Sequence, residues 1–261
     1  MVTIKTPEEI AIIREGGHKL AKILKQLLNE VKPGTNTADL ESLALKLMAE
    51  IGAEPSFKGY PMGGGLYFPT ALCISIDDEV VHGTALPNRV LAEGEIVDID
   101  IGMRYPKGDK GLYTDMCKTV GVGKISKVAK KLIEDTEHSL KLGIRQVKAG
   151  KTLNDIGKAI QDYAEGQGYG VVRDLVGHGV GYEAHEAPHV FNYAIGEKSS
   201  ENLTLKAGMV LAIEPMINLG TYQVKTADDG LTVLTTDGSL SAHFEHTVVV
   251  TDRGCEILTN L

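Results

Sequence analysis

Four carboxylates and one imidazole lie in apolar or glycine-rich stretches of the sequence where a metal ion could be bound. In chain order they are Asp100, Asp115, His178, Glu214 and Glu245. Carboxylates buried close together repel one another and stay protonated unless a cation lies between them. Four oxygen ligands with one nitrogen suit two divalent ions bridged by carboxylates, and Mn(II), Fe(II), Co(II) and Zn(II) all accept such a set. The combination, rather than any single residue, predicts a dinuclear metal site.

Asp98 and Asp100 compete for the first ligand position, because both lie on one face of the alternating run 96–101. An internal repeat favours Asp100. Gly34 and Gly150 exemplify identities that recur 116 residues apart, and the block containing Asp100 recurs 114 residues later around Glu214. The repeat predicts an α+β unit duplicated approximately over residues 1–123 and 124–261. The alternative is that two α+β stretches share the glycines that end their helices by chance.

The string His185-Glu-Ala-Pro-His189 matches the zinc-protease motif H-E-x-x-H letter for letter. That motif binds zinc only on a helix, where its two histidines lie one turn apart. Pro188 removes a helical hydrogen bond, and a run of glycines precedes the segment. We therefore expect no helical zinc site here.

His82 and His185 are candidate catalytic histidines, because hydrolysis of an amide needs a donor for the oxyanion and a group at the scissile nitrogen. The alternative for either one is a structural histidine at a turn. We expect four other histidines to lie at the surface or beside the site: His18, His138, His189 and His243. The sequence has no G-x-S-x-G, no phosphate-binding loop and no dinucleotide-binding fingerprint.

Helical periodicity and strand alternation predict the elements that position these residues. Thr6, Pro7 and Glu9 begin a first helix with a capping box, and Pro33-Gly34 end it. Further helical patterns cover residues 40–51, 128–147 and 156–168. Strand patterns cover residues 71–76 and 96–101, and residues 62–65 read as a flexible glycine-rich loop.

Amino-acid composition is typical of a globular protein and excludes several other classes. The 261 residues are 43% hydrophobic and carry a net charge of −8. The apolar fraction excludes a disordered chain, and no apolar run approaches the ~20 residues of a membrane span. Three widely spaced cysteines and a start without signal-peptide character favour a reducing cytoplasm. The acidic balance argues against specific nucleic-acid binding.

The chain resembles the type I methionine aminopeptidases, dinuclear-metal enzymes that remove the initiator methionine. The strings that carry the resemblance, in the family's order, are CISIDDEVVHG, VDIDIG, TDMCKTV, VGHGVG, HEAPHV, AIEPM and FEHTVVVT. The resemblance implies a pita-bread α+β fold, with two pseudo-symmetric halves around a central antiparallel sheet, in a single catalytic domain over residues 1–261. It implies two divalent metal ions, the N-termini of nascent polypeptides as substrates, a contact with the ribosome surface through the catalytic domain, and a monomer in the cytoplasm.

Residue roles follow from the same resemblance. The metal ligands would be Asp100, Asp115, His178, Glu214 and Glu245, with Asp115 and Glu245 bridging the two ions. Glu214 would also shuttle the proton, His185 would stabilise the oxyanion, and His82 would bond the scissile nitrogen. Tyr60 and Cys73 would line the methionine pocket.

Three departures from the family pattern lie near the expected pocket. Ala184 stands where relatives often have Phe, Leu231 stands where they often have Trp, and residues 62–69 read as an insertion. An apolar pocket discriminates weakly among similar side chains. An Xaa-Pro or broader-specificity aminopeptidase on the same fold is therefore one alternative function. A non-catalytic pita-bread binding module is the other.

Overall fold

The helices form where the apolar periodicity predicts them. In this computed structural model, which describes residues 2–260, they are α1 (Pro7–Asn29), α2 (Thr37–Glu50), α3 (Lys127–Ile144) and α4 (Leu153–Gly166). The predicted capping box of α1 is present, with the Thr6 side chain accepting from the Glu9 N–H and the Glu9 side chain accepting from the Thr6 N–H. The third helix is shorter than predicted, because α3 ends at Ile144 rather than Val147. No helix within residues 2–260 has the length and hydropathy needed to cross a membrane.

The strands are short except for three long ones. Before α3 they are β1 (Glu54–Pro55), β2 (Pro61–Gly63), β3 (Leu66–Tyr67), β4 (Leu72–Ile76), β5 (Glu79–Val81), β6 (Ile96–Tyr105) and β7 (Leu112–Gly121). After α4 they are β8 (Gly170–Val171), β9 (Gly177–Gly179), β10 (Glu186–Val190), β11 (Val210–Ile213), β12 (Met216–Asn218), β13 (Val224–Thr226), β14 (Val233–Thr235), β15 (Ser241–Val250) and β16 (Cys255–Ile257). The loop predicted at residues 62–65 is instead part of the β2–β3 hairpin, whose turn uses Gly64 and Gly65 at positive φ.

A large antiparallel sheet forms the centre of the fold. Its main path runs β1-β6-β7-β15-β11-β9-β10. Asp100 pairs with Cys117 on β7, and Cys117 pairs in turn with Glu245 on β15. Residues directly opposite one another in antiparallel strands point to the same face. The sheet register therefore places the carboxylates of β6, β7 and β15 on one face.

The opposite face of the sheet packs against the helices. Leu20 and Leu24 of α1 are buried in one cluster with Ile99 of β6. Leu140 of α3 is buried in a second cluster with Val248 of β15. Apolar and acidic residues thus alternate across β6 as predicted, and the α+β class with a central antiparallel sheet is confirmed.

Gly17 allows α1 to pack against the segment after β16. A Cβ at Gly17 would lie 2.2 Å from the Leu258 carbonyl oxygen, whereas one at Gly16 would lie 3.4 Å from the nearest atom, Cβ of Tyr105. We expect Gly17→Ala to lower the free energy of unfolding by about 2 kcal/mol or more, because backbone must shift to relieve the overlap. Gly16→Ala is the matched control and should change stability by no more than about 1 kcal/mol, in the stabilising direction, since alanine favours the helix. Urea unfolding of both variants measures the difference. Equal stability of the two would contradict the packing argument.

Candidate metal centre and active site

All nine predicted site residues line one cavity of about 190 Å³ on the sheet face opposite the helices. They are Tyr60, Cys73, His82, Asp100, Asp115, His178, His185, Glu214 and Glu245. They come from β4, β6, β7, β9 and β15, from the residues that follow β5 and β11, and from the residues that precede β2 and β10. The fold therefore brings together residues that are far apart in the sequence.

Two groups of potential metal ligands share one carboxylate. Ligand atoms of Asp100, Asp115 and Glu245 lie within 4.8 Å of one another, and so do those of His178, Glu214 and Glu245. Glu245 belongs to both groups, as a carboxylate bridging two ions would. Each group offers three ligand atoms close enough together to hold a cation.

The carboxylates of the first group are buried, and each has one oxygen without a hydrogen-bond partner among residues 2–260. Burial raises the pKa of Asp100 to about 8, and the nearby Asp98 and Glu214 charges act in the same direction. Burial and neighbouring carboxylates likewise raise the pKa of Asp115 and of Glu245 well above their ordinary values. Unpartnered buried oxygens that repel one another are the environment that a divalent cation would satisfy.

His178 presents a neutral ring to the cavity. Its Nδ1 lies 2.9 Å from the carbonyl oxygen of Gly179, which makes Nδ1–H the donor and leaves the Nε2 lone pair free. Burial and the nearby His185 lower the pKa of His178 to about 3. Nε2 lies 3.4 Å from Oε1 of Glu214. A neutral imidazole oriented by a backbone carbonyl is the form in which histidine binds metals.

The glycines around His178 let three strands approach closely. A Cβ at Gly177 would lie 2.4 Å from the Ala212 carbonyl oxygen on β11, and one at Gly179 would lie 2.3 Å from the Ala187 carbonyl oxygen on β10. Any larger residue would separate β9 from its neighbours. The Gly-His-Gly spacing is therefore what places the His178 imidazole in the cavity.

His82 and His185 line the same cavity beside the ligand groups. The His185 ring contacts the rings of His178 and Tyr60, with centroid distances of 4.4 and 4.8 Å. Burial lowers the pKa of His185, and burial together with the charges of His185 and His243 lowers that of His82 to about 4. Both imidazoles are therefore neutral near pH 7 and can each donate one N–H. His82 has a left-handed backbone, with φ of 61°.

His243 is a site residue whose role the sequence did not reveal. It is fully buried, with Nδ1 3.2 Å from Oδ2 of Asp98 and Nε2 3.5 Å from Oε2 of Glu214. Burial alone would lower the pKa of His243, but Asp98 and Glu214 raise it well above its ordinary value. Asp98 is thus paired with His243, whereas Asp100 belongs to the ligand group with Asp115 and Glu245. The available signal was that His243 and Glu245 lie two residues apart on one strand, so their side chains point to the same face of the sheet.

An apolar pocket adjoins the ligand groups. Phe57, Phe68 and Cys73 form a buried cluster, against which three partly buried side chains pack: Tyr60, Met62 and Leu231. Met62 of the β2–β3 hairpin lines the cavity, whereas Leu231 packs against the cluster without lining the cavity. Ala184 is buried but is not among the cavity-lining residues.

The H-E-x-x-H string is extended rather than helical, as predicted. Residues Glu186–Val190 form β10, and the His189 side chain is 64% exposed. His185 groups with Asp115 and His178 instead of with His189.

Comparisons with known proteins agree with this geometry. The profile of metallopeptidase family M24 matches residues 11–252. The methionine aminopeptidase of Clostridium acetobutylicum is 46% identical to this chain over 259 residues, covering 99% of each protein. The crystal structure of methionine aminopeptidase from Thermotoga maritima has a TM-score of 0.92 at 40% identity, covering 100% of both chains. The prolidase from Pyrococcus horikoshii has a TM-score of 0.76 at 23% identity, covering 98% of this chain and 63% of that one, which shows a shared fold. The pita-bread fold is confirmed.

Proposed function

The chain belongs to metallopeptidase family M24, and from that membership we propose that it is a metal-dependent aminopeptidase that removes the N-terminal methionine from nascent proteins and peptides. The observation that carries the proposal is the pair of ligand groups that share Glu245 beneath an apolar pocket. Full-length similarity to proteins named methionine aminopeptidase supports the same activity.

Five residues would hold two divalent ions, with Asp115 and Glu245 shared between them: Asp100, Asp115, His178, Glu214 and Glu245. Manganese, iron, cobalt and zinc all suit this set of oxygen and nitrogen donors. When bound, such ions lower the pKa of a coordinated water and polarise the carbonyl of the first peptide bond.

Three side chains would act on the substrate directly. Glu214 would take the proton of the attacking water and pass it to the leaving amine, and burial raises its pKa toward the range that suits this exchange. His185 would donate its N–H to the developing oxyanion. His82, which lines the same cavity, would hydrogen-bond the scissile nitrogen.

The pocket beside the ligands would hold the methionine side chain. Tyr60 and Cys73 would line it together with Phe57, Met62 and Phe68. An unbranched thioether fits an apolar pocket of this kind, and a pocket of aromatic and aliphatic groups selects by size and shape.

We extend the proposal to the setting of the enzyme. The chain would act as a single domain with an internal repeat, as a monomer in the cytoplasm that contacts the ribosome surface near emerging N-termini. Two helix pairs, each over its own apolar cluster, support the repeat. The three free cysteines and the net charge of −8 support a reducing compartment and no specific nucleic-acid partner.

Peptide cleavage with defined metals tests the proposal. Protein stripped with EDTA is assayed on Met-Ala-Ser, Leu-Ala-Ser and Ala-Pro-Ser, with and without added Mn(II) or Co(II). We expect release of methionine from Met-Ala-Ser only when metal is added. Cleavage of Leu-Ala-Ser as well would show relaxed specificity. Cleavage of Ala-Pro-Ser alone would assign an Xaa-Pro aminopeptidase. Metal binding by calorimetry without any cleavage would indicate a binding module.

His82→Ala is expected to lower kcat on Met-Ala-Ser by about 10²-fold, because the hydrogen bond to the scissile nitrogen is lost. His82→Asn is the matched control for the backbone, since asparagine also tolerates the left-handed φ of 61° at this position. Steady-state kinetics of both variants, with circular dichroism to check the fold, measure the effect. Wild-type kcat in both would make His82 a structural residue.

A further inference from the structure

The segment before α1 carries a lysine that is completely buried. The backbone N–H of Lys5 donates to the Gly208 carbonyl oxygen at 2.8 Å, and the Lys5 side chain has 0% exposure. An ammonium group withdrawn from water is costly unless charged and polar partners surround it. The position therefore requires a specific partner.

That partner is Glu186, the acidic residue of the extended H-E-x-x-H string. The ammonium of Lys5 donates to Oε1 of Glu186 and to the hydroxyl of Thr3. The Thr3 hydroxyl donates to the same carboxylate oxygen at 2.5 Å. The other oxygen accepts the N–H of Tyr182 at 3.3 Å. One carboxylate thus joins the N-terminal segment to the turn that precedes β10.

The turn from Gly181 to Ala184 is fixed against the same segment. The Lys5 stem crosses Gly181, where an added Cβ would lie 2.4 Å from Cε of Lys5. The Lys5 ammonium lies 4.3 Å above the Tyr182 ring. The Tyr182 hydroxyl donates to Oε1 of Glu9 on α1 at 2.7 Å. The N-terminal segment and α1 therefore hold the turn from outside the cavity.

His185 lies between this turn and Glu186. Its imidazole makes ring contacts with His178 and Tyr60, but no residue among 2–260 hydrogen-bonds it. With no hydrogen bond to hold it, the ring depends for its position on these two ring contacts and on the backbone on either side. Glu186 does not line the cavity, so its carboxylate acts on the backbone rather than on a substrate.

We propose that Lys5, Thr3 and Glu186 are positioning residues that hold the His185 imidazole where it meets the substrate carbonyl. This inference rests on the proposed function, in which His185 stabilises the oxyanion. A displacement of about 1 Å at such a donor costs on the order of 10²-fold in rate. The glutamate of the H-E-x-x-H string is thereby an anchor for its histidine and not a general base.

Kinetics of Lys5→Met test the proposal in the wild-type and His185→Ala backgrounds, using full-length, Mn(II)-loaded protein and Met-Ala-Ser. We expect kcat to fall by about 10- to 100-fold in the wild-type background, with KM nearly unchanged. In the His185→Ala background Lys5→Met should cause no further loss, because its effect passes through His185. Lys22→Met, at an exposed lysine of α1, is the control and should leave kcat unchanged. Additive losses, or wild-type kcat in Lys5→Met, would overturn the proposal.

An NMR measurement and a second variant cover the cases in which the peptide is not cleaved or Lys5→Met does not fold. Imidazole nitrogen resonances, assigned by their loss in His185→Ala, should shift in Lys5→Met even if the peptide is not cleaved. If the His185 signal shifts but the wild type does not cleave the peptide, the proposed aminopeptidase activity is wrong, while the proposal that Lys5 positions His185 still holds. An unshifted signal would reject the positioning alone. If Lys5→Met does not fold, Thr3→Val removes one donor without removing a charge and is expected to give the same pattern with a smaller kcat loss.

Discussion

Glu214→Gln is expected to lower kcat for methionine release by about 10³-fold or more, because one residue would lose both its metal-binding charge and its proton-carrying role. Glutamine keeps the size of the side chain, so the contacts with His178 and His243 at 3.4 and 3.5 Å need little rearrangement. Steady-state kinetics with saturating Mn(II) measure the effect, and thermal melting shows whether the fold is retained.

Glu8→Gln provides the control for Glu214→Gln, since Glu8 is an exposed residue in the first turn of α1. It should leave kcat unchanged. Calorimetric titration with Mn(II) separates the two roles of Glu214. Normal turnover by Glu214→Gln at normal metal content would remove Glu214 from the reaction.

A double-mutant cycle at Asp98 and His243 is expected to give the largest effects on stability. Either Asp98→Asn or His243→Gln should lower the free energy of unfolding of the metal-free protein by about 3 kcal/mol, because one buried group loses its charged partner. The double variant should recover most of that loss, since two neutral amides of similar shape replace the pair. Urea unfolding in the presence of EDTA measures all four proteins. Additive losses in the double variant would contradict the pairing.

The pH dependence of the same cycle has a defined sign. The folded-state pKa of His243 is raised well above its ordinary value of 6.5. The stabilisation from the His243 charge is therefore fully present below pH 6.5 and is lost as the pH rises through the folded-state pKa. The stability difference between wild type and His243→Gln should shrink with increasing pH. A difference that grows with pH would show that the imidazole is neutral in the folded protein.

Local patterns in the sequence predicted the helices and the acidic strand β6 well, because helix periodicity and strand alternation are properties of neighbouring residues. The ligand positions needed more, since carboxylates on separate strands become a site only through sheet register. The internal repeat marked Asp100 and Glu214 as equivalent positions of the two halves, without giving the pairing of the strands. The resemblance to a family supplied the roles of the remaining ligands.

Local sequence patterns could not predict the residues that support the site. His243 reads as one more polar residue on a strand, and only the pairing of β15 with β7 places it beside Asp98. The partner of Glu186 lies at the other end of the chain, in a segment with no periodicity of its own. Such contacts depend on long-range packing, which neither composition nor spacing encodes. The β2–β3 hairpin was missed for the opposite reason, because its glycines suggested mobility where they form a turn.

The distribution of the candidate ligands along the chain sets an order of events during synthesis. Asp100 and Asp115 leave the ribosome before Glu245, which lies on β15. This strand pairs with β7 on one side and with β11 on the other. In a fragment that ends before β15, burying Asp100 and Asp115 would require either protonation of the carboxylates or repulsion between their charges, and both oppose compaction. Divalent ions would therefore find the full set of candidate ligands only once both parts of the sheet have joined. Ions bound there would stabilise finished chains only, and truncated chains would stay open to proteolysis.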